Sequence, residues 1–198
     1  MMNRPTPLEI ELGQLTAYEA AARLIGGHII VRRYGQVLRC QIVETEAYDA
    51  SDPASHSFKG PTKRNRVMFG PPGRAYVYFT YGMHYCLNVV VGRECSGSAV
   101  LIRALKPLSG FDDIIKSRPS NKDNDFLNGP AKLTKNLAID LSLNGHDLSS
   151  EPLILELLEP LKHDEIIWSK RIGIRESVGH ELHWRACLKG SPYLSRGL

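Results

Sequence analysis

Short β-rich runs joined by tight turns are the feature that most restricts the fold of this chain. Two pairs of runs are separated by turns short enough to form hairpins, at Tyr34–Gln36 and at Thr80–His84. Glycine between two apolar runs is typical of such turns. The runs that we predict to be strands are His28–Arg33, Val37–Glu44, Ala75–Phe79, Tyr85–Val91, Ser98–Leu105, Leu153–Leu158 and Trp184–Leu188.

Helix signals are fewer. Thr16-Ala-Tyr-Glu19 forms a capping box, and the helix that it opens is expected to stop at Gly26-Gly27. Pro130 is expected to open a helix that continues through Ile139. Weaker patterns predict short helices at Ser51–Ser57 and Phe111–Lys116, a polar surface loop at Ser117–Asp125, and a surface helix or turn at His180–His183.

The order of the elements and the length of the chain together predict the fold class. Strands and helices do not alternate in regular βαβ units, which favours an α+β fold with a mixed, mainly antiparallel sheet. The 198 residues are 42% hydrophobic and 23% charged, as in ordinary globular proteins, and no linker divides them. We therefore expect one compact domain over residues 1–198, with helices around the sheet and a protruding β-hairpin.

The net charge of +4 is modest, but its distribution is uneven. Six basic residues and no acidic residue lie between Ser57 and Arg93, and the rest of the chain carries 19 basic against 21 acidic residues. A local positive field beside aromatic residues is typical of a nucleic-acid docking face, because cations meet phosphates and rings stack on bases. A solvated loop that lacks acids is the alternative. The six residues are Lys59, Lys63, Arg64, Arg66, Arg74 and Arg93.

Cysteine usage and apolar runs indicate the compartment. The four cysteines form no C-x-x-C pair, so we expect reduced thiols in an intracellular protein. No apolar run reaches membrane-spanning length, and no membrane contact is expected. The short N-terminus without a nuclear-targeting run favours a bacterial cytoplasm, with association to the nucleoid. In a eukaryote, a protein that docks nucleic acid in this way would be expected in the nucleus.

Two carboxylates lie close together on one predicted strand. If Val43 to Tyr48 is extended, Glu44, Glu46 and Tyr48 share one face, because side chains alternate along a strand. Two carboxylates on one face repel each other and need a cation or a hydrogen-bond donor. One interpretation is a general base beside an aromatic wall. The other is a structural pairing of one or both carboxylates with arginine at a sheet edge.

Tyrosines cluster in the second predicted hairpin. Tyr76 and Tyr78 share a face of their strand, where tyrosine is usually a half-buried packing residue. Packing explains Tyr81 less well, since it lies in a glycine-containing tip with only Met83 and Phe79 as apolar neighbours. An exposed aromatic at a tip can wedge between base pairs and open a duplex.

Neither a metal site nor a cofactor site is predicted. His180-Glu-Leu-His183 has a spacing of three, whereas the zinc motif H-E-x-x-H requires four. His84 and Cys86 would share a strand face, but no further ligand accompanies them in sequence. The H-x-E and P-C-x-x-C pattern of the zinc deaminases is absent as well.

Several ordered blocks resemble the alkyladenine (3-methyladenine) DNA glycosylase family of the eukaryotic alkylpurine type, in what we expect to be a bacterial member. The resemblance covers nearly the whole chain from the first helix onward. The blocks are V-E-T-E-A-Y at Val43–Tyr48, A-S-H-S at Ala54–Ser57, Y-V-Y-F-T-Y-G-M at Tyr76–Met83, L-I-R-A-L-K-P-L at Leu101–Leu108, N-G-P-A-K-L at Asn128–Leu133, R-I-G-I at Arg171–Ile174 and K-G-S-P-Y-L-S at Lys189–Ser195.

The resemblance implies a role for each residue of the site. Glu46 matches the residue that activates the attacking water, and Arg103 matches an arginine at the active site. Asn88 matches an asparagine at the pocket floor that opposes the 2-amino group of normal guanine. The residues implied to line the base pocket are Tyr48, His56, Tyr78 and Asn88.

The resemblance also implies contacts with duplex DNA that contains damaged purines. Tyr81, with Met83 beside it, matches the tip of a hairpin that enters the minor groove and fills the gap left by the flipped nucleotide. His84 and Tyr85 replace an aromatic pair there, which predicts a different grip on DNA. We assign the phosphate contacts to Lys59, Lys63, Arg64, Arg66 and Arg74.

The expected reaction is hydrolysis of the N-glycosidic bond to leave an abasic site. No lysine occupies the implied catalytic positions, so no Schiff base and no strand cleavage are expected. We expect a monomer that needs no cofactor. Two alternatives stay open: a non-catalytic module that binds damaged nucleic acid on the same scaffold, and a hydrolase of free nucleosides that uses Glu44 and Glu46 as an acid/base pair.

Overall fold

One sheet of eight strands organises the part of the chain that the structure describes. The structure is a computed structural model, and it describes residues 4–33, 35–112, 125–175 and 181–198. Every strand pairing among these residues is antiparallel. The strands are β1 (His28–Arg33), β2 (Gln36–Tyr48), β3 (Ala75–Thr80), β4 (His84–Val91), β5 (Ser98–Ser109), β6 (Leu153–Glu156), β7 (Ile166–Ser169) and β8 (Arg185–Leu188).

The long strand β2 lies at the centre of the sheet. The sheet runs in the order β3-β4-β5-β2-β1-β6, and β8 pairs with both β2 and β7. Strand β2 pairs with β1, β5 and β8 along its length, which explains why it extends to Tyr48, beyond its predicted end. The pairing with β2 likewise extends β5 to Ser109, beyond its predicted end. Strand β7 was not predicted, because its four residues gain strand structure from pairing with β8.

Among the residues that the structure describes, three α-helices accompany the sheet: α1 (Pro7–Gly13), α2 (Ala17–Leu24) and α3 (Pro130–Asn136). The capping box at Thr16 was predicted and is present. A second capping box, between Thr6 and Glu9, opens α1, which the sequence reasoning missed although the signature is the same. Together with the antiparallel sheet, these helices confirm the α+β class.

The predicted helix at Ser51–Ser57 is wrong, and the segment forms turns. Two aspartates explain the difference. The carboxylate of Asp49 accepts a hydrogen bond from the backbone N–H of Ser51 at 2.8 Å, and Asp52 accepts one from Ala54 at 3.0 Å. Local side-chain bonds of this kind compete with helix formation.

Some predicted elements lie outside the described residues. Residues 113–124 contain most of the helix predicted at Phe111–Lys116 and nearly all of the loop predicted at Ser117–Asp125, and residues 176–180 contain the first residue of His180–His183. None of the described helices is long and apolar enough to span a membrane.

The two faces of the sheet carry different kinds of side chain. Ala75, Val77, Leu87 and Val89 belong to the main hydrophobic core together with α2, whereas Tyr76 lies in a separate small cluster and Tyr78 packs against it. The alternation along β3 therefore places Tyr76 and Tyr78 on one face, as predicted, while Ala75 and Val77 lie on the face that packs in the main core. This second face is where the candidate site lies.

We predict that the core face carries most of the stability. Ile102, in β5, is fully buried in the main core, and Leu108 is 43% exposed near the end of the same strand. Ile102→Ala is expected to lower the free energy of unfolding by about 2–5 kcal/mol through lost burial and a cavity. Leu108→Ala, the matched control, is expected to change it by about 0.5 kcal/mol or less. Equal effects in urea unfolding would contradict the assignment of Ile102 to the stabilising core.

Candidate active site

One rung of the sheet brings together residues that are far apart in sequence. Tyr76 pairs with Asn88, Asn88 with Leu101, and Leu101 with Glu46. Cross-strand partners point to the same face, so these four side chains form a continuous row opposite the main core. The register therefore explains how V-E-T-E-A-Y and the tyrosine hairpin, separated in sequence, form one site.

A cavity of about 380 Å³ lies on this face. It is lined by residues of the four strands β2 to β5, of the turns at 54–56 and of the segment 172–174, together with Met68, Tyr81 and Pro130. The residues that the sequence predicted for the site and that line the cavity are Tyr48, His56, Tyr78, Tyr81, Asn88 and Arg103. Glu46 is fully buried and does not itself line the cavity. It lies directly behind the wall, since three lining residues form hydrogen bonds with its carboxylate.

Three donors hold the carboxylate of Glu46. The Tyr48 hydroxyl donates to Oε2 at 2.7 Å, the Ile172 backbone N–H donates to Oε1 at 2.7 Å, and Nη1 of Arg103 lies 3.3 Å from Oε2. Burial raises the pKa of Glu46, although Arg103 and the two hydrogen bonds act in the opposite direction. A carboxyl with a raised pKa is a stronger base when ionised, which suits general-base catalysis near neutral pH.

The second carboxylate, Glu44, has a different environment. Its oxygens accept hydrogen bonds from Nε of Arg185 at 2.7 Å and from the backbone N–H and hydroxyl of Ser195 at 2.6 and 2.8 Å. Nε of Arg103 lies 3.3 Å from Oε1. The predicted pairing with arginine is thus correct for both carboxylates. The pairing lies in the sheet interior, however, and not at an edge.

Arg103 reaches both carboxylates because of an irregularity in the sheet. The pairing of β2 with β5 passes from Glu44 with Ala104 to Thr45 with Ile102, so the register skips Arg103. Arg103 is 8% exposed. Burial acts to lower the pKa of Arg103, but Glu46 and Glu44 outweigh it and the pKa is raised, so the guanidinium stays charged.

Aromatic side chains form the walls of the cavity. Nδ1 of His56 is 2.9 Å from the Tyr76 hydroxyl, and the His56 ring meets the Tyr78 ring edge-on at 4.5 Å between centroids. Burial, followed by the charge of Arg64, lowers the pKa of His56, so the imidazole is neutral at neutral pH. The guanidinium of Arg171 lies 4.6 Å from the centre of the Tyr48 ring.

The hairpin tip at Tyr81 is exposed and strained. Tyr81 is 86% exposed and Met83 is 69% exposed. The φ angles of Tyr81 and Gly82 are 51° and 67°, which is costly for a tyrosine and usual for a glycine. Strain of this kind tends to occur at functional sites. The tip also borders the cavity, because Tyr81 is one of its lining residues.

The predicted phosphate-binding residues divide into two groups. Lys59, Lys63, Arg64 and Arg66 are exposed. Arg64 lies beside the cavity, since it donates to the Phe79 carbonyl at 3.2 Å and lies 5.3 Å from the centre of the Tyr78 ring. Arg74 differs from these four residues and corrects the prediction. Glu9 and Asp147 bind its guanidinium at 2.7 and 2.8 Å, so we remove Arg74 from the predicted phosphate contacts.

Sequence reasoning missed the residues that support the site. The segment 171–174 is held by Arg171, whose Nη2 donates to Asp52 at 3.0 Å and whose Nη1 donates to the Ala47 carbonyl at 3.0 Å. This anchor presents the Ile172 N–H to Glu46. The motifs R-I-G-I and K-G-S-P-Y-L-S were noticed, but no signal in the sequence paired Asp52 with Arg171 or Glu44 with Ser195.

Comparison with known proteins identifies the family of this chain. The chain matches the family described as methylpurine-DNA glycosylase (MPG) over residues 12–192. Its relatives include proteins named "Putative 3-methyladenine DNA glycosylase" from three organisms. The relative from Carboxydothermus hydrogenoformans is 52% identical over 169 residues, which cover 84% of this chain and 87% of the relative.

The other two relatives are similar to this chain over comparable lengths. The protein from Methanoculleus marisnigri is 45% identical over 173 residues, 86% of this chain and 89% of the relative. The protein from Nitrosospira multiformis is 42% identical over 181 residues, 91% of this chain and 90% of the relative. This chain belongs to the methylpurine-DNA glycosylase family.

Proposed function

We propose that this chain excises alkylated or deaminated purines, such as 3-methyladenine, 7-methylguanine and hypoxanthine, from duplex DNA by hydrolysing their N-glycosidic bond. The observation that carries the proposal is the position of Glu46. It is a fully buried carboxylate, held by three donors, directly behind the wall of an aromatic cavity. A binding module has no need of a desolvated carboxylate beside a phosphate-rich ligand.

The cavity would receive the target base after it has left the helical stack. A base inside a duplex cannot be reached by an active site, so the nucleotide has to be flipped. Tyr48, His56 and Tyr78 offer aromatic surface for stacking. A base alkylated at a ring nitrogen carries positive charge, and electron-rich ring faces attract such a cation by roughly 2 kcal/mol when it is desolvated.

Glu46 would act as the general base. Because it is fully buried in the free protein, the attacking water has to reach it from the cavity, past the lining residues Tyr48, Arg103 and Ile172 that bind its oxygens. The water oxygen forms a bond to C1′ while the bond from C1′ to the purine nitrogen breaks and its electron pair leaves with the base. The proton of the water passes to Glu46, whose negative charge also stabilises the oxocarbenium-like transition state.

The lining of the cavity supports hydrolysis over Schiff-base chemistry. No lysine is among the described residues that line the cavity, so no amine is placed to attack C1′. The nucleoside-hydrolase alternative requires Glu44 as a free acid, and Arg185 and Ser195 already occupy its oxygens. A cationic base such as 7-methylguanine leaves as a neutral molecule and needs little acid assistance.

The hairpin and the basic residues would hold the DNA. Tyr81 would enter the duplex and fill the gap left by the flipped nucleotide, with Met83 beside it, while Lys59, Lys63, Arg64 and Arg66 contact phosphates. The cavity, the tip and the exposed cations come from one chain. We therefore propose that a monomer is the active form.

Replacement of the base tests the proposal. Glu46→Gln keeps the size of the side chain but cannot accept the proton, so the rate constant for base release from methylated duplex is expected to fall by about 10²–10⁴-fold under single-turnover conditions. The dissociation constant for the same duplex is expected to stay within a small factor. Glu94→Gln, at an exposed carboxylate, serves as the control. Selective binding of damaged duplex without any release by the unmodified protein would instead indicate a recognition module.

The salt dependence of duplex binding tests the phosphate contacts. Each lost phosphate contact lowers the slope of log K against log salt by about one, so Arg64→Gln is expected to give a shallower slope than the unmodified protein. Arg32→Gln is the matched control, because Arg32 is on β1 and pairs with Glu151. Parallel slopes for all three proteins in fluorescence anisotropy titrations would place Arg64 outside the DNA interface.

A further inference from the structure

Residues 195–197 are tied to the buried charges behind the cavity. The backbone N–H and the hydroxyl of Ser195 both donate to Glu44, at 2.6 and 2.8 Å. Nη2 of Arg185 donates to the Arg196 carbonyl at 2.7 Å, while Nε of the same arginine donates to Glu44 at 2.7 Å. Glu44 and Arg185 together therefore fix this last segment of the chain against β2 and β8.

The hydroxyl of Ser195 lies between Glu44 and Arg103. It donates to Oε1 of Glu44 and accepts from Nε of Arg103, the second contact at 3.4 Å. A hydroxyl can do both at once, because it has one proton to donate and lone pairs to accept with. The opposite side of the same guanidinium, at Nη1, contacts Glu46 at 3.3 Å. A continuous series of contacts thus joins Ser195 to Glu46 through Arg103.

We propose that Ser195 and Glu44 are positioning residues, which set the orientation of Arg103 and through it the geometry of Glu46. The inference rests on the proposed function of Glu46 as general base. Neither residue lines the cavity, so neither is assigned a contact with the base.

The physical reason is the geometry of a buried guanidinium. Arg103 is 8% exposed, so water does not replace a donor or acceptor that is lost from its surroundings. Its planar group carries donors at fixed angles, and rotation that breaks one contact displaces the others. Both of its carboxylate contacts are 3.3 Å long. The contact with the Ser195 hydroxyl is similar in length, at 3.4 Å, so no single short contact fixes the orientation of Arg103, and the orientation depends on these contacts acting together.

The test replaces one hydroxyl in the intact chain. Ser195→Ala keeps the backbone N–H to Glu44 but removes the hydroxyl from Arg103 and Glu44. The saturating single-turnover rate constant for 7-methylguanine release is expected to fall about tenfold, because a misplaced catalytic group is costly in rate. The dissociation constant for the duplex is expected to be unchanged. Ser195→Thr retains a hydroxyl and is expected to recover most of the loss.

A matched control separates positioning from general loosening of this segment. The Ser191 hydroxyl accepts a hydrogen bond from the Tyr193 N–H at 3.3 Å. The hydrogen bonds of Glu44 and Arg103 are made with other residues. Ser191→Ala is therefore expected to release base at the unmodified rate. An unaltered rate for Ser195→Ala, or equal losses for Ser191→Ala and Ser195→Ala, would overturn the positioning role. Absence of release by the unmodified protein would overturn the proposed function itself, and this inference with it.

Discussion

Two buried carboxylates lie on one strand of this fold, and Arg103 lies between them and offsets their repulsion. Moving a charged group out of water is costly, and two like charges on the same face add repulsion to that cost. Arg103 is within 3.3 Å of both Glu44 and Glu46. It can reach them because the register of β2 with β5 skips its position. The irregularity in the sheet therefore places Arg103 where it contacts both carboxylates of the site.

Each element around the carboxylates contributes a donor to them. Strand β8 supplies Arg185, residues 195–197 supply Ser195, and the segment held by Arg171 supplies the Ile172 N–H. Both oxygens of Glu44 accept hydrogen bonds from Arg185 or Ser195, as in a structural ion pair. Glu46 borders the cavity through Tyr48, Arg103 and Ile172. Two adjacent carboxylates on one strand thus have different environments, and only one of them is near enough to the cavity for chemistry.

Much of the site could be predicted from local patterns. Alternation correctly placed Glu44, Glu46 and Tyr48 on one face of β2, because a period of two is a local property of extended chain. The exposed tip at Tyr81 followed from a glycine in a short hairpin. Strand β7 and the exact ends of β2 and β5 could not be predicted, since they depend on partners far away in sequence.

The supporting contacts were less accessible to sequence reasoning for the same reason. Ser195 and Glu44 are 151 residues apart, and Arg171 and Asp52 are 119 apart. No local period or spacing links such pairs. Arg74 shows the converse error: the absence of nearby acids in sequence implied a free cation, but Glu9 and Asp147 reach it in space. Charge along the chain therefore identified the basic region but not which of its members are available to DNA.

The pH dependence of base release tests the role of Glu46 most directly. The substrate of choice is duplex DNA with 7-methylguanine, whose departure needs no protonation, and spontaneous release is subtracted at each pH. Because burial raises the pKa of Glu46, against the opposing effects of Arg103 and Tyr48, the single-turnover rate constant is expected to fall as pH decreases through a value above 4.5. In Glu46→Gln the remaining slow release is expected to lack this decrease. A rate constant that is constant or rises as pH decreases would contradict a base at Glu46.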